Sequence, residues 1–182
     1  MAAIQVSGEA QFDSAALRRA FGSFPTGVTV VTTLDADGRP RGMTANSFAS
    51  VSLDPALLLV CIGHGAASFS AFAQCRSFAV NMLRDDQQDV SSRFASKSAM
   101  KFAGIGYTAR HTGAPVLDDC LTWFDCTVHQ RVCAGDHTVL FGHVQQFCTG
   151  HAAPLRFCRG RYAEVRPRRS DRGTETPTRG QQ

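Results

Sequence analysis

Val28-Thr29-Val30-Val31-Thr32-Thr33-Leu34, the tetrapeptide Asp35-Ala36-Asp37-Gly38, and a return segment from Met43 to Val51 set the architecture. Branching at Cβ favours extended backbone, and the first segment is mostly Val and Thr. Asp/Gly punctuation suits a hairpin turn, so the two flanking segments are expected to pair antiparallel. Before them, Pro25-Thr26-Gly27 ends a helix expected over Asp13–Phe24, capped by Asp13 or Ser14. Its Leu17, Phe21 and Phe24 recur at i, i+4, i+7 on one apolar face. After them, Ala56–Ile62 is a continuous apolar run that predicts a strand buried on both faces.

Further strands are expected over Ser77–Leu83, Leu121–Cys133, His137–Cys148 and Arg156–Val165. Ala134-Gly135-Asp136 forms a turn that places His137 beside a hairpin tip. Short amphipathic helices are expected over Ala66–Cys75, with Phe69, Phe72 and Ala73 inward, and over Asp85–Ala95, with Val90 and Phe94 on one face. Strands separated by turns, with few helices between them, predict a mainly β, antiparallel barrel over a parallel sheet.

The chain has 182 residues, of which 43% are hydrophobic and 19% charged, which suits one compact domain. The longest apolar run has seven residues, far short of the ~20 that span a bilayer. No signal peptide is readable, and seven cysteines without a Cys-x-x-Cys are expected as reduced thiols in a cytoplasm. Cys126 alternates with Phe124 and Val128 and reads as a small core residue. Residues 166–182 hold five arginines against Asp171 and Glu175, a surplus of three within the formal +4. The body is thus effectively neutral and the pI of 8.8 belongs to the tail. Residues 166–182 are expected as a disordered basic tail, residues 1–12 as an N-terminal extension, and 13–165 as the domain. The alternative for the tail is polyanion binding.

Gly-x-Gly-x-x-Gly and Gly-x-Ser-x-Gly are absent, Gly22–Gly27 lacks the Lys-Ser/Thr of a phosphate loop, and the histidines show no metal-ligand spacing. No metal site is expected. Chemistry instead concentrates in Gly42-Met43-Thr44-Ala45-Asn46-Ser47-Phe48-Ala49-Ser50. Taken alone, these hydroxyls and amides suit a turn and a polar strand face, or else a ligand edge for a planar molecule rich in donors and acceptors.

Phe24-Pro25-Thr26-Gly27-Val28-Thr29-Val30-Val31-Thr32 followed by Gly42–Ser52 resembles the flavin reductase family with the FMN-binding split-barrel fold. Phe78–Leu83, Ser91–Ala95 with Lys101–Gly104, Gly135-Asp136-His137 and Arg159–Tyr162 match in the family's order, so the resemblance spans about residues 14–165. It implies an antiparallel Greek-key split β-barrel with a few short flanking helices. It also implies a homodimer and NAD(P)H-dependent reduction of FMN or FAD, with NADH or NADPH as hydride donor. Members include the reductases that supply a partner monooxygenase with reduced flavin.

By the same resemblance, Thr44, Ala45, Asn46 and Ser47 meet the isoalloxazine ring, with Pro25 and Thr26 beside it. Cys61 and Ile62 belong to the cofactor wall, and Asn81 either hydrogen-bonds flavin or stabilises a strand end. Ser91, Ser92 and Arg93 meet the ribityl phosphate, with Lys101 as a second candidate. Arg161 and Tyr162 close the site, and His137 meets the reduced nicotinamide as the catalytic candidate. Two other readings are a flavin-binding relative acting on its own bound substrate and a non-catalytic β-barrel binding module.

Overall fold

The computed structural model describes residues 12–164. The expected basic tail and all of the expected extension except Phe12 lie outside them. Among the described residues no helix is long and apolar enough to cross a membrane.

As expected, the fold is mainly β and antiparallel. The elements run α1 (Ser14–Phe21), β1 (Thr26–Gly27), β2 (Thr29–Leu34), β3 (Pro40–Ala45), β4 (Ala49–Leu53), β5 (Ala56–Gly63), α2 (Phe69–Gln74) and β6 (Ser77–Met82). There follow α3 (Gln88–Ala95), β7 (Tyr107–Ala109), β8 (Pro115–Leu117), β9 (Thr122–Ala134), β10 (His137–Thr149), β11 (Arg156–Cys158) and β12 (Arg161–Tyr162). Seven strands form one sheet in the order β3-β2-β6-β9-β10-β5-β4, while β1, β11 and β12 form a small second sheet. The β2–β3 hairpin is in place, with Thr29 opposite Ala45 and Leu34 opposite Pro40.

The return segment differs from expectation in a way that matters. Met43–Val51 is not one strand but two, broken at Asn46-Ser47-Phe48. β3 is one edge of the seven-stranded sheet and β4 the other, so these three residues carry the chain across the split. The Ser47 hydroxyl fastens the crossing by accepting from Cys61 N at 2.9 Å and donating to Cys61 O at 3.2 Å. A polar side chain here replaces the ladder bonds that a continuous strand would have made.

Other expectations shift in detail. β5 alternates instead of being buried on both faces: Leu58, Val60 and Ile62 enter the core while Leu59, Cys61 and Gly63 face outward. In α2 the inward small residue is Ala71, not Ala73, because the helix starts only at Phe69. The helix α1 is expected to bury one apolar face, but Leu17, Phe21 and the nearby Phe24 are all exposed. Two short strands, β7 and β8, were not foreseen, and the last expected strand divides at Arg159-Gly160 into β11 and β12.

The principal core gathers Val31, Leu58, Val60, Ile62, Phe72, Phe78, Val80, Cys126 and Leu140 inside the barrel. Burial pushes the Cys126 thiol up to about 12, consistent with a core role rather than a reactive one. A second cluster, Val28, Val30, Leu83, Phe94, Leu117 and Leu155, seats α3 against the outer side of β2 and β3. Gly42 makes that seat possible: a Cβ there would lie 2.8 Å from the Phe94 ring.

Candidate active site at the split of the barrel

The broken edge of the sheet opens a cleft. On β3, Met43 and Ala45 pack toward the barrel core, so Gly42 and Thr44 take the opposite, outer face. There α3 meets them, with Thr44 Oγ1 donating to Ser91 O at 2.6 Å. From the other side β12 closes in, as the Tyr162 hydroxyl donates to Ser91 Oγ at 3.0 Å. Thr44, Ala45, Asn46, Ser91, Ala95, Val28, Phe157 and Tyr162 together line a cleft of about 220 Å³. Five of the expected residues therefore meet in one place: Thr44, Ala45, Asn46, Ser91 and Tyr162.

The polar groups at this cleft are unevenly occupied. Asn46 is exposed, and its amide makes no hydrogen bond among the described residues. Thr26 Oγ1 is buried and likewise has no partner. Thr26 sits on β1 opposite Phe157, one of the cleft-lining residues, so its orphaned hydroxyl borders the same region. Pro25, next to it, is exposed.

His137 stands on the outer face of the barrel along β5 from the crossing segment, outside the residues that line the cleft. Ser47 ties the crossing segment to Cys61, and Gly63 follows two residues along β5, about 7 Å at strand spacing. His137 lies directly opposite Gly63 in the ladder. Its imidazole occupies the space that the glycine leaves, with Nε2 only 3.3 Å from where a Cβ would stand. Cys61, Gly63 and His137 thus share a face. Asp136 Oδ1 lies 2.7 Å from His137 Nδ1, and that hydrogen bond is the main reason the Asp136 carboxyl sits below its usual range.

Several expected residues stand elsewhere. Asn81 is fully buried on β6, where its amide donates to Val30 O (2.9 Å) and Thr32 Oγ1 (3.1 Å) and accepts from Leu117 N (2.8 Å). The strand-tying role is the one it fills, and both of its amide hydrogens are engaged inside the protein. The Ile62 side chain points into the core, leaving only its backbone near the site. The Ser91-Ser92-Arg93 group is split by the helix: Ser91 faces the cleft, while Ser92 is exposed. The Arg93 guanidinium donates to Ala103 O, holding the loop after α3. Arg161 is exposed at the start of β12.

Lys101 opens a second recess, unforeseen as a cluster. Its ammonium is buried, donating to Phe94 O (2.9 Å) and Gly42 O (3.2 Å), and burial holds its pKa below the usual lysine value. Arg41, Ser68, Lys97, Ser98 and Lys101 line a recess of about 160 Å³ with no carboxylate in its wall. It neighbours the first cleft on both walls: Gly42 is two residues from Thr44 on β3, and Lys97 two residues from Ala95 beyond α3. Arg41 is paired with Asp35, its Nε donating to Oδ2 at 2.8 Å, which leaves the ammonium groups of Lys97 and Lys101 to suit an anionic group. Lys97 and Arg41 carried no sequence signal, since isolated basic residues read as ordinary solvated surface.

A split antiparallel barrel with a half-satisfied polar cleft at its broken edge defines a small-molecule-binding barrel. Residues 21–166 match the flavin reductase like domain family, and the chain belongs to that family. It is 51% identical over 146 residues to the reductase component of a flavin-dependent trigonelline monooxygenase from Acinetobacter baylyi, covering 80% of this chain and 47% of that protein. The chain thus spans about half the length of that relative. It is 40% identical over 164 residues to a flavin-dependent monooxygenase reductase subunit, HsaB, of Mycobacterium tuberculosis, with 88% of this chain and 87% of that one covered. Among solved structures, a Streptomyces globisporus NADH:FAD oxidoreductase in complex with NAD and FAD fragments superposes with a TM-score of 0.81 at 36% identity. The match covers 91% of this chain and 98% of that one.

Flavin suits the residues present. The Asn46 amide offers a partner to the ring's carbonyl and nitrogen atoms, and the apolar Val28 and Phe157 offer contact area. The basic recess alongside suits a phosphoryl group.

Proposed function

We propose that this chain is an NAD(P)H-dependent flavin reductase that supplies reduced FMN or FAD to a partner monooxygenase. When bound, the flavin accepts at N5 the hydride that a reduced nicotinamide gives up from C4. The observation that carries this reading is the cleft at the broken strand, which brings Thr44, Ala45, Asn46, Ser91 and Tyr162 together, in a chain of this family. Thr44, Ala45 and Asn46 line the ring, with Thr26 beside it and Tyr162 closing from β12. Ser47 acts one step back: both its hydrogen bonds go to Cys61, so it holds the crossing segment in position.

The phosphate end is assigned to the Lys101 recess rather than to Ser92 and Arg93. The ammonium groups of Lys97 and Lys101 border it with the Ser98 hydroxyl, whereas Arg93 is engaged with Ala103 O and Arg41 with Asp35. His137 orients the nicotinamide by hydrogen bonding. Holding donor and acceptor rings in register is where such a protein gains most, up to ~7–11 kcal/mol when the geometry is good. Nothing in the arrangement asks for a protein nucleophile. The reaction is assigned to a cytoplasmic homodimer; the exposed apolar face of Phe12, Leu17 and Phe21 supports a second copy covering α1.

The test is NADH or NADPH oxidation followed at 340 nm with FMN or FAD and no organic substrate. Turnover dependent on added flavin supports the reading, and the preferred flavin and nicotinamide come from the same experiment. A chain that binds flavin yet consumes no reduced nicotinamide without an organic substrate acts on its own bound substrate instead. His137→Ala is expected to lower turnover or nicotinamide affinity while flavin affinity holds.

A further inference from the structure

We propose that Asp136 and Gly63 are positioning residues that hold the His137 imidazole in one tautomer and one orientation, with Nε2 presented to the ligand; this rests on the role given to His137 above. Three contacts converge on the hairpin tip. The Asp136 carboxylate lies 2.7 Å from Nδ1. The Asp136 carbonyl accepts from His64 N at 2.9 Å, which pins the tip to the end of β5. Gly63 opposite leaves a slot where the ring lies, Nε2 being 3.3 Å from the position a Cβ would take.

An ionised carboxylate only accepts hydrogen bonds, so a neutral imidazole beside it must carry its proton on Nδ1. Nε2 is then left with its lone pair as an acceptor for an N–H such as that of a carboxamide. Removing the carboxylate frees the ring to rotate and to populate the other tautomer, in which Nε2 is a donor. Asp136 is at the surface, with most of its side chain in water, so the fold does not rest on it.

The test uses the full chain labelled with 15N-histidine, at about pH 8 where a free imidazole is neutral. His137 is identified by the signal lost in His137→Gln. Its ring nitrogens are expected to report the Nδ1–H form in the native chain and a mixture in Asp136→Asn, with the native form restored in Asp136→Glu. The Asn variant is expected to raise the nicotinamide KM by up to about fivefold, the most that a solvent-exposed pair carries, while flavin affinity stays within about twofold. Gly63→Ala, which crowds the ring from the other side, is expected to raise the same KM without altering the tautomer. An unchanged His137 tautomer in Asp136→Asn overturns the proposal, and so does a changed tautomer with an unchanged KM. The spectrum is read without flavin, so a native chain that fails to reduce flavin overturns the functional reading separately.

Discussion

The polar interior behind β2 and the polar corner beside β3 are built from the same residue types and serve opposite ends. In the interior, Thr32, Asn81 and Asp125 are wholly buried and every one is bonded. Asn81 ties β6 to β2 and to Leu117, while Asp125 accepts from the Thr112 backbone N at 2.8 Å and from its hydroxyl. At the corner, the Thr26 hydroxyl and the Asn46 amide are without partners among the described residues. A saturated polar group holds architecture together, whereas an unsaturated one awaits something. The difference lies in partners and not in composition.

The largest effect expected from breaking this contrast is at Asn81. Replacement by alanine strands Val30 O and Leu117 N in the core, at roughly 1–3 kcal/mol each, so a loss of about 3–5 kcal/mol is expected in denaturant unfolding. Flavin affinity of the molecules that remain folded is expected to be unchanged. Asn46→Ala is the mirror image: stability within about 0.5 kcal/mol of the native chain, and flavin binding weaker by about tenfold in a fluorescence titration.

Lys101→Met sharpens the contrast within the site. It is expected to weaken FMN and FAD by about tenfold in a salt-dependent way, yet to spare riboflavin, which has no phosphate. Arg93→Ala is expected to leave all three flavins within about twofold, since the guanidinium serves the Ala103 carbonyl. Between these two lies Tyr162→Phe, which removes one hydrogen bond to Ser91 and about 1 kcal/mol, or a fewfold in flavin affinity.

The same contrast explains what the sequence could reveal. Val28–Leu34 and its Asp/Gly turn were legible because β-branching and turn chemistry act locally. The corner was legible as a concentration of hydroxyls and amides, but the break at Asn46–Phe48 was not. That break depends on Cys61, fourteen residues from Ser47 along the chain. The run Ala56–Ile62 reads as buried on both faces because uniformly apolar residue types hide the alternation that sends Leu58, Val60 and Ile62 inward. For Asn81 and Arg93 the sequence leaves the partner open for one shared reason: residue type announces hydrogen-bonding capacity, and only the fold says who uses it. Gly63 and Asp136 gave no separate signal, because each matters only through the ring of His137.

The central claim is a location. A crystal structure of the chain with FMN tests it most directly: the account predicts the ring on the outer face, against Thr44, Asn46 and Tyr162, with the phosphate toward Lys101 and one ring face open on the side of His137. Flavin seated away from that cleft, or its phosphate on Ser92 and Arg93 with the Lys101 recess untouched, contradicts it.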